Sequence, residues 1–178
     1  MIELIDVLLN ASRIEAGRVK VVPKEIDAKE MMCNIVEEQK FDIKKKKHKI
    51  SFVCNDVLPG VSPKVFVDPN LARMVFQNII SNAVKYTPDN GKVILSIDKK
   101  DGGVLFEISD TGIGIPKEQQ QRVFEKLFRA NNAFSHDPDG NGLGLYVAKA
   151  TVENLGGKIW FESEENKGTK FFVLLPGA

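Results

Sequence analysis

Apolar residues recur along the chain with two periods, one helical and one alternating, and the switches between them lay out its elements. Met1, Leu4, Ile5, Leu8 and Leu9 form a helical stripe that Gly17 closes. A helix so short and so one-sided is expected to pack on something outside this chain. "VKVVPKEID" reads as extended, and Asp27 with Glu30 then makes a capping-box-like start for a helix reaching about Lys47. "KISFVC" alternates as a strand that "LPG" turns. Asp68-Pro69, an N-cap acid followed by proline at the first helical position, starts a helix expected to run to about Tyr86.

"KVILSIDKKDGGVLFEISD" predicts a hairpin turning at Asp101-Gly102-Gly103. Beyond "TGIGIP" the pattern predicts a helix near Lys117–Leu127, a loop from Ala130 to Gly142, and a helix near Leu143–Leu155. "KIWFESEENKGTKFFVLL" closes the chain as a second hairpin, and no internal repeat is evident. Hairpins with helices between them predict an α+β fold, a two-layer sandwich.

One helix breaks its own pattern. "QNIISNAVKY" (Gln77 to Tyr86) reads as buried helix, yet it contains Asn78 and Asn82. Asparagine is a poor helix former, and an unpaired buried amide costs roughly 1–3 kcal/mol. At about 100° per residue, Asn78, Asn82 and Lys85 share a narrow stripe beside Leu71 and Val75. Either these groups cap neighbouring loops, or something polar docks on them.

Composition excludes more than it selects. With 178 residues, 43% of them hydrophobic, the chain can fill one core. A net charge of +1 gives no argument for a nucleic-acid or membrane partner. The basic run "KKKKHK" (Lys44 to Lys49) reads as a solvated helix end, with an anion-binding patch as the sharper alternative. Cys33 and Cys54 stand apart from each other and from any histidine cluster, which argues against zinc and disulfides and fits a reducing cytosol. No apolar run approaches the ~18–20 residues of a membrane span. Glu3 and Asp6 interrupt the start in a way no signal peptide does. A cytoplasmic location is expected.

Two glycine-rich turns carry candidate chemistry. In "SDTGIGI" a strand ends in Asp110, followed by Gly112 and Gly114; the carboxylate accepts hydrogen bonds, and the glycines admit close backbone approach. In "GNGLGL" (Gly140 to Leu145) glycines open a helix, where backbone N–H groups and the helix dipole favour an anion. Neither is a P-loop or a GxGxxG after a strand. Singly, each is as well explained by an ordinary turn or helix start.

Their order is more specific. "NIISNAVKYTP", "DTGIGI", "FEKLFRA" (Phe124 to Ala130) and "GNGLGL" resemble the N, G1, F and G2 boxes of the catalytic ATP-binding domain of sensor histidine kinases. That family shares an ATPase superfamily with gyrase, Hsp90 and MutL. "GTKFFVLLP" resembles the closing G3 segment, and "LLNASRIEAGRVKV" is similar to the end of the second dimerisation and phosphotransfer helix. The resemblance implies the Bergerat ATP-binding fold, a mixed, mostly antiparallel sheet covered on one face by helices. It implies residues 1–17 as the end of that helix, 18–26 as a connecting strand, and 27–178 as the catalytic domain. ATP and Mg²⁺ are the implied ligands. The implied partners are the phosphoacceptor hairpin, a response regulator reached through the intact kinase, and a second copy in a full-length homodimer. The location becomes the cytoplasmic part of a membrane-bound sensor.

By the same resemblance, Asn82 gives an amide oxygen to Mg²⁺, Asn78 supports the triphosphate side, and Lys85 offers charge to phosphate. Tyr86 flanks the nucleotide. Asp110 accepts from the adenine amino group, assisted by Thr169, while Gly112 and Gly114, with Ile115 beside them, let the backbone approach the base. Gly140, Gly142 and Gly144, with Leu143 and Leu145, cradle phosphates beneath a lid. Arg129 is implied to neutralise phosphate charge, with a surface ion pair as the alternative. Asn78, Asn82, Lys85 and Arg129 form the implied catalytic set, since phosphoryl transfer needs mainly positioning and charge stabilisation. Phe124 and Phe128, four apart on the expected helix, read as core packing.

The family's phosphoacceptor histidine lies ahead of anything resembling Met1. His48 sits in the lysine run and His136 in the lid loop, so the chain is expected to bind ATP without phosphorylating itself. Gln77 offers no acidic base for fast hydrolysis. Two other functions fit less well. A serine kinase of the anti-sigma type would lack the "SRIEAG" stub, and a non-catalytic nucleotide-sensing module would not need Asn82, Asp110 and the glycine boxes intact.

Overall fold

The computed structural model describes residues 20–39, 43, 49–55, 62–100, 102–138 and 140–178, with backbone only for 49–55. The apolar stripe of residues 1–16, the lysine run and the "LPG" turn lie outside the described residues.

Strand β1 (Lys24–Asp27) leads into α1 (Ala28–Glu38), β2 (Lys49–Asn55), β3 (Lys64–Val67) and α2 (Pro69–Tyr86). The hairpin β4 (Lys92–Lys100) and β5 (Gly103–Asp110) follows, then α3 (Gly144–Asn154) and the hairpin β6 (Lys158–Glu164) and β7 (Gly168–Pro176). β1 and β3 pair antiparallel as a small separate sheet. The main sheet has the order β2-β4-β5-β7-β6; β2 runs parallel to β4 and the other pairs are antiparallel. This is the mixed, mostly antiparallel α+β sandwich expected.

Period-two alternation builds the core. Val93, Leu95 and Ile97 on β4, Val104, Phe106 and Ile108 on β5, and Val173 and Leu175 on β7 are buried. Val75, Phe76, Ile79, Ile80 and Ala83 of α2 and Ala148 and Val152 of α3 join them in one cluster. The rings of Phe76 and Phe106 meet at 4.5 Å between centroids. On the other face of the sheet Trp160 stacks on Phe172 across the β6–β7 pair, at 5.3 Å.

Helix α2 starts where the sequence places it. Asp68 Oδ1 accepts from the N–H groups of Asn70 (2.9 Å) and Leu71 (3.3 Å), and Pro69 occupies the first turn. Asp68 Oδ2 accepts the Val22 N–H at 2.9 Å, tying the approach to β1 to the same helix start. Asp27 caps α1 through the Glu30 N–H at 2.8 Å. That helix ends at Glu38; the span expected on to Lys47 lies mostly outside the described residues.

The helix expected near Lys117–Leu127 does not form. Lys117–Arg122 is a 3₁₀ turn, and the backbone bonds of Val123, Glu125 and Phe128 each reach back three residues. Gln120 Nε2 donates to the carbonyls of Ile115 (3.0 Å) and Ser163 (2.9 Å), pinning the segment to the β6 edge. Its two phenylalanines also diverge, where an α-helix would set them on one face. Phe124 meets Phe161 at 5.7 Å, whereas Phe128 lines a cavity.

Candidate functional site

The second half of α2, the turn after β5, the loop 128–142 and the first turn of α3 enclose a cavity of about 310 Å³. α2 contributes Asn78, Asn82, Lys85 and Tyr86. Asp110, Gly114 and Ile115 come from β5 and its turn, and Thr169 from the start of β7. Arg129, Gly140, Gly142, Gly144 and Leu145 complete the expected set on this wall.

The two asparagines do not cap loops. Both are half-buried, and among the described residues neither side-chain amide has a hydrogen-bond partner. A Cβ built on Gly144 would lie 3.3 Å from Asn78 Oδ1, so the amide stands over the opening turn of α3. That helix begins without a side-chain cap, leaving its first N–H groups for another acceptor. Gln77 points elsewhere: its Nε2 donates to Glu38 Oε2 at 2.8 Å on the α1 side.

Asp110 ends β5 with its carboxylate largely buried. Oδ1 accepts the Gly112 N–H at 2.8 Å and the Thr169 N–H at 3.2 Å, while Oδ2 takes no partner among the described residues. Burial raises the carboxyl to about 6, and the two N–H groups oppose that shift only in part. Thr169 therefore meets Asp110 through its backbone, its hydroxyl lying 2.9 Å from Ser163 Oγ.

Gly112 and Leu143 are not on the cavity wall. Gly112 works from behind it. A Cβ there would lie 2.7 Å from both Asp110 Oδ1 and the Tyr86 carbonyl, so only glycine lets the turn fold against the carboxylate. Leu143 is fully buried as core at the N-cap of α3.

Arg129 makes no ion pair among the described residues, unlike the surface alternative. It braces the loop instead, donating to the carbonyls of Gly140 (2.8 Å), Pro138 (3.2 Å) and Asp137, with its guanidinium 4.4 Å above the Phe134 ring. Lys85 Nζ stands 3.0 Å from Asp137 Oδ2. His136 is exposed, off the cavity wall, with Nδ1 3.2 Å from the Asn132 carbonyl.

Sequence reasoning missed several wall residues, among them Ser81, Phe128, Asn132, Asp137 and Phe171. Ser81 was findable, since it lies one turn from Asn78 on the same helix. The loop residues carry no periodic signal.

Residues 67–178 match the family described as histidine kinase-, DNA gyrase B- and HSP90-like ATPase. The chain is 37% identical to the sensor histidine kinase WalK of Bacillus subtilis over 99% of its own length and 28% of that protein's. It is 33% identical to the adaptive-response sensory kinase SasA of Rippkaea orientalis, over 99% of this chain and 44% of SasA. It thus spans less than half the length of these relatives. Full-length ShkA in complex with AMPPNP superposes with a TM-score of 0.84 at 26% identity, covering 99% of this chain and 35% of that one. The catalytic domain of histidine kinase ThkA shares the fold, with a TM-score of 0.75 at 24% identity over 88% of this chain and 96% of that one. The matched residues take in all of α2, β4 to β7 and α3, and with them this chain belongs to the histidine kinase-, DNA gyrase B- and HSP90-like ATPase family.

Proposed function

We propose that this chain is the ATP-binding kinase domain of a two-component sensor histidine kinase, holding Mg-ATP for γ-phosphoryl transfer to a histidine on a dimerisation hairpin. The observation that carries the reading is a pair of amides on one cavity wall, Asn78 and Asn82, without hydrogen-bond partners among the described residues, with Asn78 standing over the uncapped start of α3. Amide oxygens above a helix N-terminus suit a metal-bound polyphosphate, with the anion meeting N–H groups and the dipole.

In this reading Asp110 Oδ2 accepts from the adenine amino group. Gly112 and Thr169 hold the carboxylate in place, and Tyr86 and Ile115 flank the base. Lys85 and the Gly140–Gly144 turn take the phosphates, and Arg129 keeps that turn in shape. The donor set fits Mg²⁺. Among the described residues no three acids, histidines or cysteines cluster as a closed metal cage, and a cation that keeps waters and phosphate oxygens needs little beyond the Asn82 amide oxygen. When bound, Mg²⁺ would neutralise phosphate charge.

The domain boundaries at 17 and 26 belong to the same proposal, as do the homodimer and the response regulator. So does a cytoplasmic position: among the described residues no helix is long and apolar enough to cross a membrane, and the substrate is ATP.

The test adds labelled ATP and a separately prepared phosphoacceptor hairpin to this chain. Acid-labile phosphate on the hairpin histidine, with none on this chain, is expected. ATP binding without any transfer would reduce the protein to a nucleotide-sensing module. Equal binding of ATP and GTP would remove the adenine role of Asp110.

A further inference from the structure

The "SHDPDG" stretch supplies a carboxylate that the proposed function does not use. Asp137 lies in the loop between Arg129 and α3, only 15% exposed, with Oδ2 3.0 Å from Lys85 Nζ. That oxygen is otherwise buried without a hydrogen-bond partner, so the ion pair is its main compensation. The loop is shaped to deliver it. Arg129 accepts no freedom there, since it donates to the Asp137 and Gly140 carbonyls on either side. Gly140 leaves the room: a Cβ at that position would lie 2.4 Å from Asp137 Oδ2. Asp137, Lys85 and Gly140 all line the cavity.

We infer that Asp137 is a built-in competitor for the phosphate-binding cation: its carboxylate takes the place on Lys85 that a phosphate oxygen of the ligand must take. The inference rests on the nucleotide reading of the cavity and adds to it a regulatory device. An anion that reaches Lys85 breaks the ion pair of Asp137 and so removes one of the ties on its loop, leaving those of Arg129 in place. A nucleoside that fills the base end without phosphates leaves the pair intact. Occupancy at the phosphate end is thereby linked to the conformation of the loop covering it.

Calorimetry on the full chain, with ATP and with adenosine, tests this in four proteins: unmodified, Asp137→Asn, Lys85→Gln and the double variant. Asp137→Asn should tighten ATP about three- to tenfold, as release of one partly exposed ion pair allows, and leave adenosine unchanged. In the Lys85→Gln background the same change should do nothing, because no cation remains to compete for.

A gain that persists without Lys85 would mean simple charge repulsion and would overturn the inference. So would unchanged ATP affinity in Asp137→Asn. Weakened ATP binding confined to Mg²⁺-containing buffer would make Asp137 a metal ligand, again overturning it. Retained adenosine binding shows that each variant has kept its pocket. If the unmodified chain bound neither ATP nor adenosine, the nucleotide reading itself would fall, a result distinct from all of these.

Discussion

Thr169 donates its backbone N–H to Asp110 Oδ1 at 3.2 Å, so the first residues of β7 hold the carboxylate that ends β5. The Gly112 N–H binds the same oxygen at 2.8 Å. Two fixed donors on one oxygen orient the group and leave its other oxygen for a ligand. They do not cancel the cost of burial, which lifts the carboxyl from 3.8 to about 6.

That shift has a defined sign. The folded chain holds the Asp110 proton more tightly than the unfolded chain does. Its contribution to stability is therefore complete below the ordinary value of 3.8 and lost as pH rises through about 6. At about pH 8 the buried charge should cost on the order of 1–3 kcal/mol. Asp110→Asn keeps an acceptor for both N–H groups and removes the charge. It should be more stable than the unmodified chain at about pH 8 by up to that amount and equal to it near pH 4, read by urea denaturation. The same variant should bind adenine nucleotides far more weakly, since the amide presents N–H₂ where the carboxylate presented an acceptor. A stability gap independent of pH would mean that Asp110 does not titrate as stated.

Asn82→Ala separates the metal role from packing. Asn82 has no hydrogen-bond partner among the described residues, so its loss leaves no protein group unpaired, and alanine favours the helix. Stability should change by less than about 0.5 kcal/mol or rise slightly. ATP affinity should fall at least about tenfold with Mg²⁺ present and far less in chelator. An equal loss in both buffers would assign Asn82 to direct phosphate or base contact.

Much of this site was legible in the chain because its main parts are periodic or conformationally special. Asn78, Asn82 and Lys85 announce themselves by standing polar on an apolar helix, and Asp110 by ending an alternating strand before two glycines. The cover was not legible. The pattern around Phe124 and Phe128 reads as helical, but Gln120 anchors the backbone to Ile115 and Ser163, and Leu127 adopts a left-handed φ of 62°. Tertiary hydrogen bonds decide that segment. Asp137 sits on the wall where Arg129 gathers the loop's carbonyls, and Asn132 where its amide donates to the Gly114 carbonyl at 3.0 Å. Gly112 makes room for the Asp110 carboxylate, a role that spacing alone does not carry.

Gly112→Ala should accordingly act on the site through Asp110. The new methyl would lie 2.7 Å from Asp110 Oδ1 and from the Tyr86 carbonyl, and neither the strand end nor the end of α2 yields easily. A loss of about 1–3 kcal/mol in stability is expected. Adenosine affinity should fall with it, because the shifted carboxylate no longer meets the base. Full adenosine affinity in a destabilised Gly112→Ala variant would place the base elsewhere.

The start of α2 offers a graded series. Asp68 uses both oxygens, Oδ1 on the Asn70 and Leu71 N–H groups and Oδ2 on the Val22 N–H, and the residue is 7% exposed. Serine can cap the helix but cannot also reach Val22. Asparagine has one acceptor oxygen and must present N–H₂ to one of the two donor sets. Alanine does neither. Asp68→Ser should therefore lose about 1 kcal/mol, Asp68→Asn a similar or larger amount, and Asp68→Ala about 2–3 kcal/mol, as a missing cap adds to an unpaired buried N–H. The helix remains and Asp68 is absent from the cavity wall, so ATP affinity of the folded variants should stay within about twofold. Denaturation curves and calorimetry on the same samples separate the two effects. If Asp68→Ala matched Asp68→Ser in stability, the Val22 bond would contribute nothing and the approach to β1 would be held by its pairing with β3 alone.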